Sequence, residues 1–183
     1  MLIVAITGMP GAGKSTAAKA LEARGFKRIV MGDVIREETR RRGLEPDAEN
    51  TGKVMLELRE KLGPGAVAEV CLRSLKAIKD EVVVVDGVRS FAEVEVFKRE
   101  GAVKLLAITA SRDRRFRLLT ERGRSDAPAS RASFDDRDRR ELSIGVGDAV
   151  ALADESLSNE RATPEEIGNR AVELVEWWVS TAV

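Results

Sequence analysis

Gly8-Met9-Pro10-Gly11-Ala12-Gly13-Lys14-Ser15 is the stretch whose reading decides the fold. Its three glycines let a backbone wrap closely around an anion with the N–H groups pointing inward. Met9, Pro10 and Ala12 complete the loop. The Lys14 ammonium is spaced to reach the β- and γ-phosphates of a nucleoside triphosphate, and the Ser15 hydroxyl to ligate Mg²⁺. Thr16 and the start of the following helix add partial positive charge. Such a loop works between a strand and a helix, and the flanking residues predict both. Residues 2–7 are an apolar run with β-branched members, the pattern of a buried strand. Residues 14–24 have a helical pattern that stops before Gly25.

Outward from the loop the pattern alternates. Residues 27–31 predict a second strand, closed by Gly32-Asp33. Helices are expected over 34–42, 47–62 and 64–79. Residues 81–86 contain four consecutive valines, Val82 to Val85, which suits a strand covered on both faces. Gly87 is expected to end it, with Ser90 capping a helix through Arg99. A fourth strand is expected at 103–109, a basic helix at 112–122, a loop at 123–133 and a charged helix at 134–142. A small-residue helix at 146–153, a short strand at 155–158 and a last helix through 179 follow. Thr163-Pro164-Glu165-Glu166 marks the start of that last helix. Strands alternating with helices make an α/β fold with a parallel sheet. Residues 33–79 insert helices without a strand and form a candidate lobe.

Composition narrows the chemistry. The chain has 183 residues, enough for one domain, and 43% are hydrophobic, enough for a real core. Its 31 basic and 31 acidic residues cancel, so neither a nucleic-acid nor a membrane footprint is indicated. No segment resembles a signal peptide or a membrane span, and a cytoplasmic protein is expected. The single Cys71 excludes an internal disulfide and reads as a small buried apolar residue. His, Tyr and Gln are absent, so proton transfer falls to Asp, Glu, Lys or water, and a zinc site is disfavoured. Of Trp177 and Trp178, one is expected to pack on the sheet.

Further candidates sit where strands end. Asp86 closes the valine strand at the edge that faces the ligand crevice, where a carboxylate holds Mg²⁺ through water. Arg89, three residues on, has a fork suited to phosphate or carboxylate. Asp33 and Arg36 lie one helical turn apart, Arg36 to grip an acceptor and Asp33 to orient or deprotonate its hydroxyl; an ordinary helix cap accounts for Asp33 equally well. Residues 112–141 hold ten arginines and seven acids, most of them readable as a solvated face. Arg117, Arg122 and Arg124 border the small-residue loop as lid arginines would, positioned to stabilise charge on a moving phosphoryl group.

The set resembles the P-loop nucleoside monophosphate kinase group, most of all the archaeal adenylate-kinase-related proteins. The residues that carry the likeness are Thr-Gly-Met-Pro-Gly-Ala-Gly-Lys-Ser at 7–15, Met-Gly-Asp-Val-Ile-Arg at 31–36, Asp-Gly-Val-Arg-Ser at 86–90, Arg-Gly-Arg at 122–124 and Arg-Asp-Arg-Arg-Glu at 137–141. Ala153-Asp154 with Asn159 is more similar to dephospho-coenzyme A kinases. The resemblance implies a five-stranded parallel sheet flanked by helices, an acceptor-binding helical lobe at about 32–80 and a short lid within 112–141, all in one domain over 1–183. It implies ATP and Mg²⁺ as cofactors, with Gly32, Asp33, Arg36 and Arg89 at the acceptor. The lid arginines would be Arg117, Arg122 and Arg124, with Arg137 or Arg139 from the helix beyond. Where adenylate kinases carry Phe-Pro between the Gly and Arg of the third-strand motif, this chain has only Val88.

The expected activity is transfer of the γ-phosphoryl group of ATP to a small molecule, first of all a nucleoside monophosphate. An alcohol acceptor such as dephospho-coenzyme A is the alternative, with Asp33 as its base. A slow ATPase switch or assembly factor is a third. Guanine-reading and transporter-type signatures are absent from the sequence.

Overall fold

The computed structural model describes residues 1–123 and 127–181. Its centre is β1 (Leu2–Thr7), every residue of which is buried. β1 lies between β3 (Val82–Val88) and β4 (Ala102–Thr109). β2 (Lys27–Val30) and β5 (Glu155–Ser158) form the edges, giving the order β2-β3-β1-β4-β5 with all pairs parallel. The valine run works because a central parallel strand has two apolar faces. Val83 and Val85 point to one side with Ile3 and Ala5. Val84 points to the other with Leu2, Val4 and Ile6.

One face is covered by α1 (Lys14–Ala23) and α9 (Pro164–Thr181), which bring Ala17, Leu21, Ile167, Ala171, Val175 and Trp178 onto the sheet. Gly168 approaches α1 so closely that a Cβ there would stand 2.9 Å from the Cβ of Ala20. Trp178 is the packed member of its pair, and Trp177 is exposed. The opposite face is covered by α2 (Met31–Arg41), α3 (Ala48–Leu62), α4 (Ala66–Lys76) and α5 (Phe91–Phe97). Ile35, Val54, Leu58, Cys71 and Leu75 share one apolar cluster with Ile3 and Val85. The helices between 32 and 80 therefore rest on the sheet and draw on its core. α6 (Arg112–Arg122), α7 (Arg131–Ile144) and α8 (Val146–Ala151) fill the span between β4 and β5. Among the described residues no helix is long and apolar enough to cross a membrane.

Several boundaries differ from expectation, most of them by one or two residues and three for a clear local reason. β3 runs on through Gly87 to Val88, because glycine takes a φ of 101° and the pairing with β1 shifts between Ile6 and Thr7. α2 starts at Met31, not at 34, so β2 passes directly into the helix and Gly32-Asp33 lies in its first turn. α7 starts at Arg131, inside the segment expected to be loop, because Ser130 and Ser133 form a reciprocal capping box. α4 ends at Lys76, three residues before the expected 79.

The core yields a direct chemical prediction. Burial, with Glu93 nearby, pushes the Cys71 thiol up to about 12, so it is protonated at pH 8 and sealed from solvent. An aromatic disulfide reagent at pH 8 should leave the native protein unlabelled and titrate one thiol after denaturation. Rapid labelling of the native chain would contradict this packing of α4.

Candidate phosphate-binding site

The loop between β1 and α1 is held open by backbone alone. Gly8, Gly11 and Gly13 adopt φ values of 142°, 82° and 107°, a region that disfavours any side chain. Space forbids one as well. A Cβ at Gly8 would collide with the Ile108 carbonyl oxygen, at Gly11 it would lie 2.7 Å from the Arg115 carbonyl oxygen, and at Gly13 it would lie 2.5 Å from the Asn159 side-chain nitrogen. The loop thus sits flush against the ends of β4 and β5 and the wall of α6. Lys14 folds back over it, donating to the carbonyl oxygens of Gly8 at 2.5 Å and Met9 at 3.1 Å. Ser15 and Thr16 follow at half-buried positions in the first turn of α1.

Two side chains pin this loop from outside. The Asn159 amide donates to the Ala12 carbonyl at 2.9 Å, while its own backbone N–H donates to the Thr109 carbonyl at 2.7 Å. Arg115 donates to the Pro10 carbonyl at 3.1 Å and forms a two-pronged ion pair with Asp138, at 2.8 and 2.6 Å. Both partners are almost fully buried, and the Arg115 guanidinium lies over the Phe134 ring at 5.0 Å. A paired arginine fork is a rigid strut, so α6, α7 and the loop form one unit. Arg114 ties the segment after β5 to α6 through the carbonyls of Asn159 and Ala162. Beside that segment opens a cavity of about 540 Å³, lined in part by Ser158, Glu160, Arg161 and Arg170.

The charges around Lys14 come from three elements. Burial lowers its pKa to about 8; Asp86 and Glu141 oppose that shift, whereas Arg89 and Arg137 add to it. Five expected or newly visible groups thus converge: Lys14 from the loop, Asp86 and Arg89 from the end of β3, and Arg137 and Glu141 one turn apart on α7. Asp86 is buried, and its Oδ2 accepts from Arg28 of β2 at 2.6 Å. Its Oδ1 has no hydrogen bond among the described residues. Arg89 is held at its backbone, where its N–H donates to the Glu93 carboxylate at 2.7 Å. Glu93 is fully buried, also accepts from Arg59 at 3.3 Å, and has a pKa raised by that burial against the pull of these donors. The Arg89 guanidinium stands 4.0 Å from the Met55 sulfur and 3.5 Å from Glu141.

Asp33 and Arg36 share the exposed first turns of α2 and are ion-paired to each other, with Arg36 Nε donating to Asp33 at 3.1 Å. A Cβ at Gly32 would make only ordinary contact with the Arg36 guanidinium, at 3.5 Å. Arg117 is exposed on α6, where its charge acts on Glu160 beside the cavity. Arg122 is the exposed last residue of α6, and Arg124 lies outside the described residues. Arg28, Arg114, Arg115 and Glu141 went unsingled in the sequence, because nothing local distinguishes them from other surface-type charges.

The residues suit a magnesium ion held mainly by its ligand. Among the described residues no group of three or more His, Cys, Asp or Glu gathers into a cage. Mg²⁺ in such sites takes one or two protein oxygens and fills its octahedron with phosphate oxygens and water. Ser15 and the second oxygen of Asp86 would be the protein donors in such an arrangement.

The chain is similar to known proteins over most of its length. A family model described as an AAA domain matches residues 7–134. A UPF0200 protein of Thermococcus onnurineus is 42% identical over 180 residues, covering 96% of this chain and 97% of the relative. The UPF0200 protein of Methanocaldococcus jannaschii is 44% identical over 164 residues, covering 88% and 83%. Among solved structures, TT1252 from Thermus thermophilus superposes with a TM-score of 0.69 at 20% identity over 95% of each chain. Shikimate kinase from Bacteroides thetaiotaomicron gives 0.66 at 20% identity, over 96% of this chain and 98% of that one. At that identity the two structures speak for the fold, which is P-loop kinase-like. The chain belongs to the UPF0200 proteins and, through residues 7–134, to the AAA domain family.

Proposed function

We propose that this protein is an ATP- and Mg²⁺-dependent phosphotransferase that moves a γ-phosphoryl group to a small acceptor carrying an anionic group. The observation that carries the reading is the convergence on Lys14. A glycine cradle and an enclosed lysine face two arginines and two carboxylates from β3 and α7. Phosphoryl transfer asks chiefly for alignment and charge stabilisation, and this set supplies both. The cradle N–H groups and Lys14 would bind the β- and γ-phosphates. Bound Mg²⁺ would neutralise charge on those oxygens, with Ser15 and Asp86 as its protein donors. Arg89, and Arg36 at the entrance, would hold the acceptor anion. Arg117, Arg122 and Arg124 would close over the donor from the lid side.

Two acceptor classes meet this description. A nucleoside monophosphate offers an oxygen already ionised at pH 7 and needs only cations around it. An anionic alcohol needs in addition a carboxylate at the reacting hydroxyl. Glu141, paired with Arg89 and acting on Lys14, favours the second, in keeping with the structural likeness to a shikimate kinase.

A phosphotransfer screen with labelled ATP over nucleoside monophosphates and dephospho-coenzyme A tests the reading. Lys14→Ala should lose transfer and hydrolysis by a factor of about 100 or more, since it removes the charge aimed at the moving group. Wild-type ATP affinity and turnover in that variant would refute the proposal. Arg89→Ala should raise the acceptor KM at least about tenfold, the loss of a charged hydrogen bond, and leave ATP binding intact. An unchanged acceptor response would remove Arg89 from the acceptor site.

A further inference from the structure

The Glu141 carboxylate is out of keeping with a site made only to hold phosphates. Glu141 is nine-tenths buried, and its one ion-pair partner among the described residues is Arg89, at 3.5 Å. No hydrogen bond accompanies that pair among the described residues, so the carboxylate keeps unused acceptor capacity. Its oxygens are not among the side-chain atoms sealed from solvent without a partner, so that capacity is open to an incoming group. Its charge also acts on Lys14, so one carboxylate is coupled to both Lys14 and Arg89.

Its position is fixed by backbone. Gly145, one turn on, closes α7 and lies against Arg89 and Ser90; a Cβ there would be 3.3 Å from the Cβ of Ser90. Arg115 and Asp138 anchor the same helix to the phosphate loop. Glu141 therefore belongs to the stationary wall and not to the lid. Asp33, the carboxylate expected from sequence to serve an acceptor hydroxyl, is 63% exposed at its side chain and committed to Arg36.

We propose that Glu141 is the proton acceptor for an alcohol nucleophile, and that the acceptor is a small alcohol bearing a carboxylate or phosphate held by Arg89. This rests on the phosphotransferase reading and selects between its two acceptor classes. The alcohol oxygen forms a bond to the γ-phosphorus of ATP as the bond from that phosphorus to the β–γ bridging oxygen breaks. ADP leaves with the bridging oxygen and its electron pair. The hydroxyl proton passes to a Glu141 carboxylate oxygen and then to solvent, giving a phosphate ester, ADP and a proton. A second carboxylate beside a phosphate nucleophile would only repel it; beside a hydroxyl it orients the lone pair and takes the proton.

The test uses the full chain and two readouts. Water is the first probe, as the alternative hydroxyl nucleophile when no alcohol is supplied. Glu141→Gln should lower Mg²⁺-dependent ATP hydrolysis about 100-fold in kcat, with ADP affinity by calorimetry and thermal stability close to wild type. Glu141→Ala should regain rate on adding formate but not chloride, which a purely structural role would not do. The second readout is the destination of label from γ-labelled ATP in a mixture of nucleoside monophosphates, shikimate, glycerate and dephospho-coenzyme A. Label in an alcohol ester, lost in Glu141→Gln, is the expected result. Label in nucleoside diphosphates at equal rates in both proteins overturns the role of Glu141 and leaves the phosphotransferase reading standing. Wild-type hydrolysis unaffected by Glu141→Gln overturns it as well. Failure of the wild type to bind ADP or turn over ATP sinks both.

Discussion

The close approach of the phosphate loop to its neighbours is the constraint on which the rest of the molecule depends. Gly8 presses on the Ile108 carbonyl, Gly11 on the backbone of Arg115, and Gly13 on the amide of Asn159. Each contact is possible only without a side chain, and each joins the loop to a different part of the chain. β4 and β5 must therefore end where they do, and α6 must pass directly behind. Asn159 and Arg115 convert this proximity into hydrogen bonds to Ala12 and Pro10. The Ala12 and Pro10 carbonyls are thereby held from outside, and the Ala12 N–H closes the loop on the Met9 carbonyl at 3.1 Å. Preorganisation of this kind suits anion binding because donors already aimed need no rearrangement.

The charges follow from the same geometry. Sheet order places β3 next to β1, so Asp86 and Arg89 emerge beside Lys14. β2, on the far side of β3, supplies Arg28 to Asp86. α7, strapped to the loop through Asp138, delivers Arg137 and Glu141 from the opposite wall. Burial makes these charges matter. Burial lowers the Lys14 pKa to about 8, and a bound polyphosphate would favour its charged form. Two arginines and two carboxylates act on this lysine, and a triphosphate and an acceptor would draw the cations to themselves.

Much of this was legible in the residues. The glycine loop, the all-valine strand and the strand–helix alternation each have a local cause, and the parallel sheet follows from them. Asp86 and Arg89 were legible because they close a recognisable strand. The helix starts at Met31 and Arg131 were obscured by a strand that runs straight into a helix and by a serine pair inside a loop-like composition. Arg28, Arg115 and Glu141 were hidden for a deeper reason. Their partners lie 58, 23 and 52 positions away, at Asp86, Asp138 and Arg89, and the meeting depends on sheet order and helix crossing. In a segment of ten arginines and seven acids, sequence alone does not say which arginine is buried. Asp33 is exposed and ion-paired to Arg36, a contact that their spacing of one helical turn made legible.

The central claim is that the loop at 8–15 holds a nucleoside triphosphate. Calorimetric titration of the purified chain with a non-hydrolysable ATP analogue tests it most directly, with and without Mg²⁺. The account predicts saturable binding at one site per chain, tighter with Mg²⁺, and displaced by ATP. Absence of saturable binding at millimolar analogue in the presence of Mg²⁺ would contradict it.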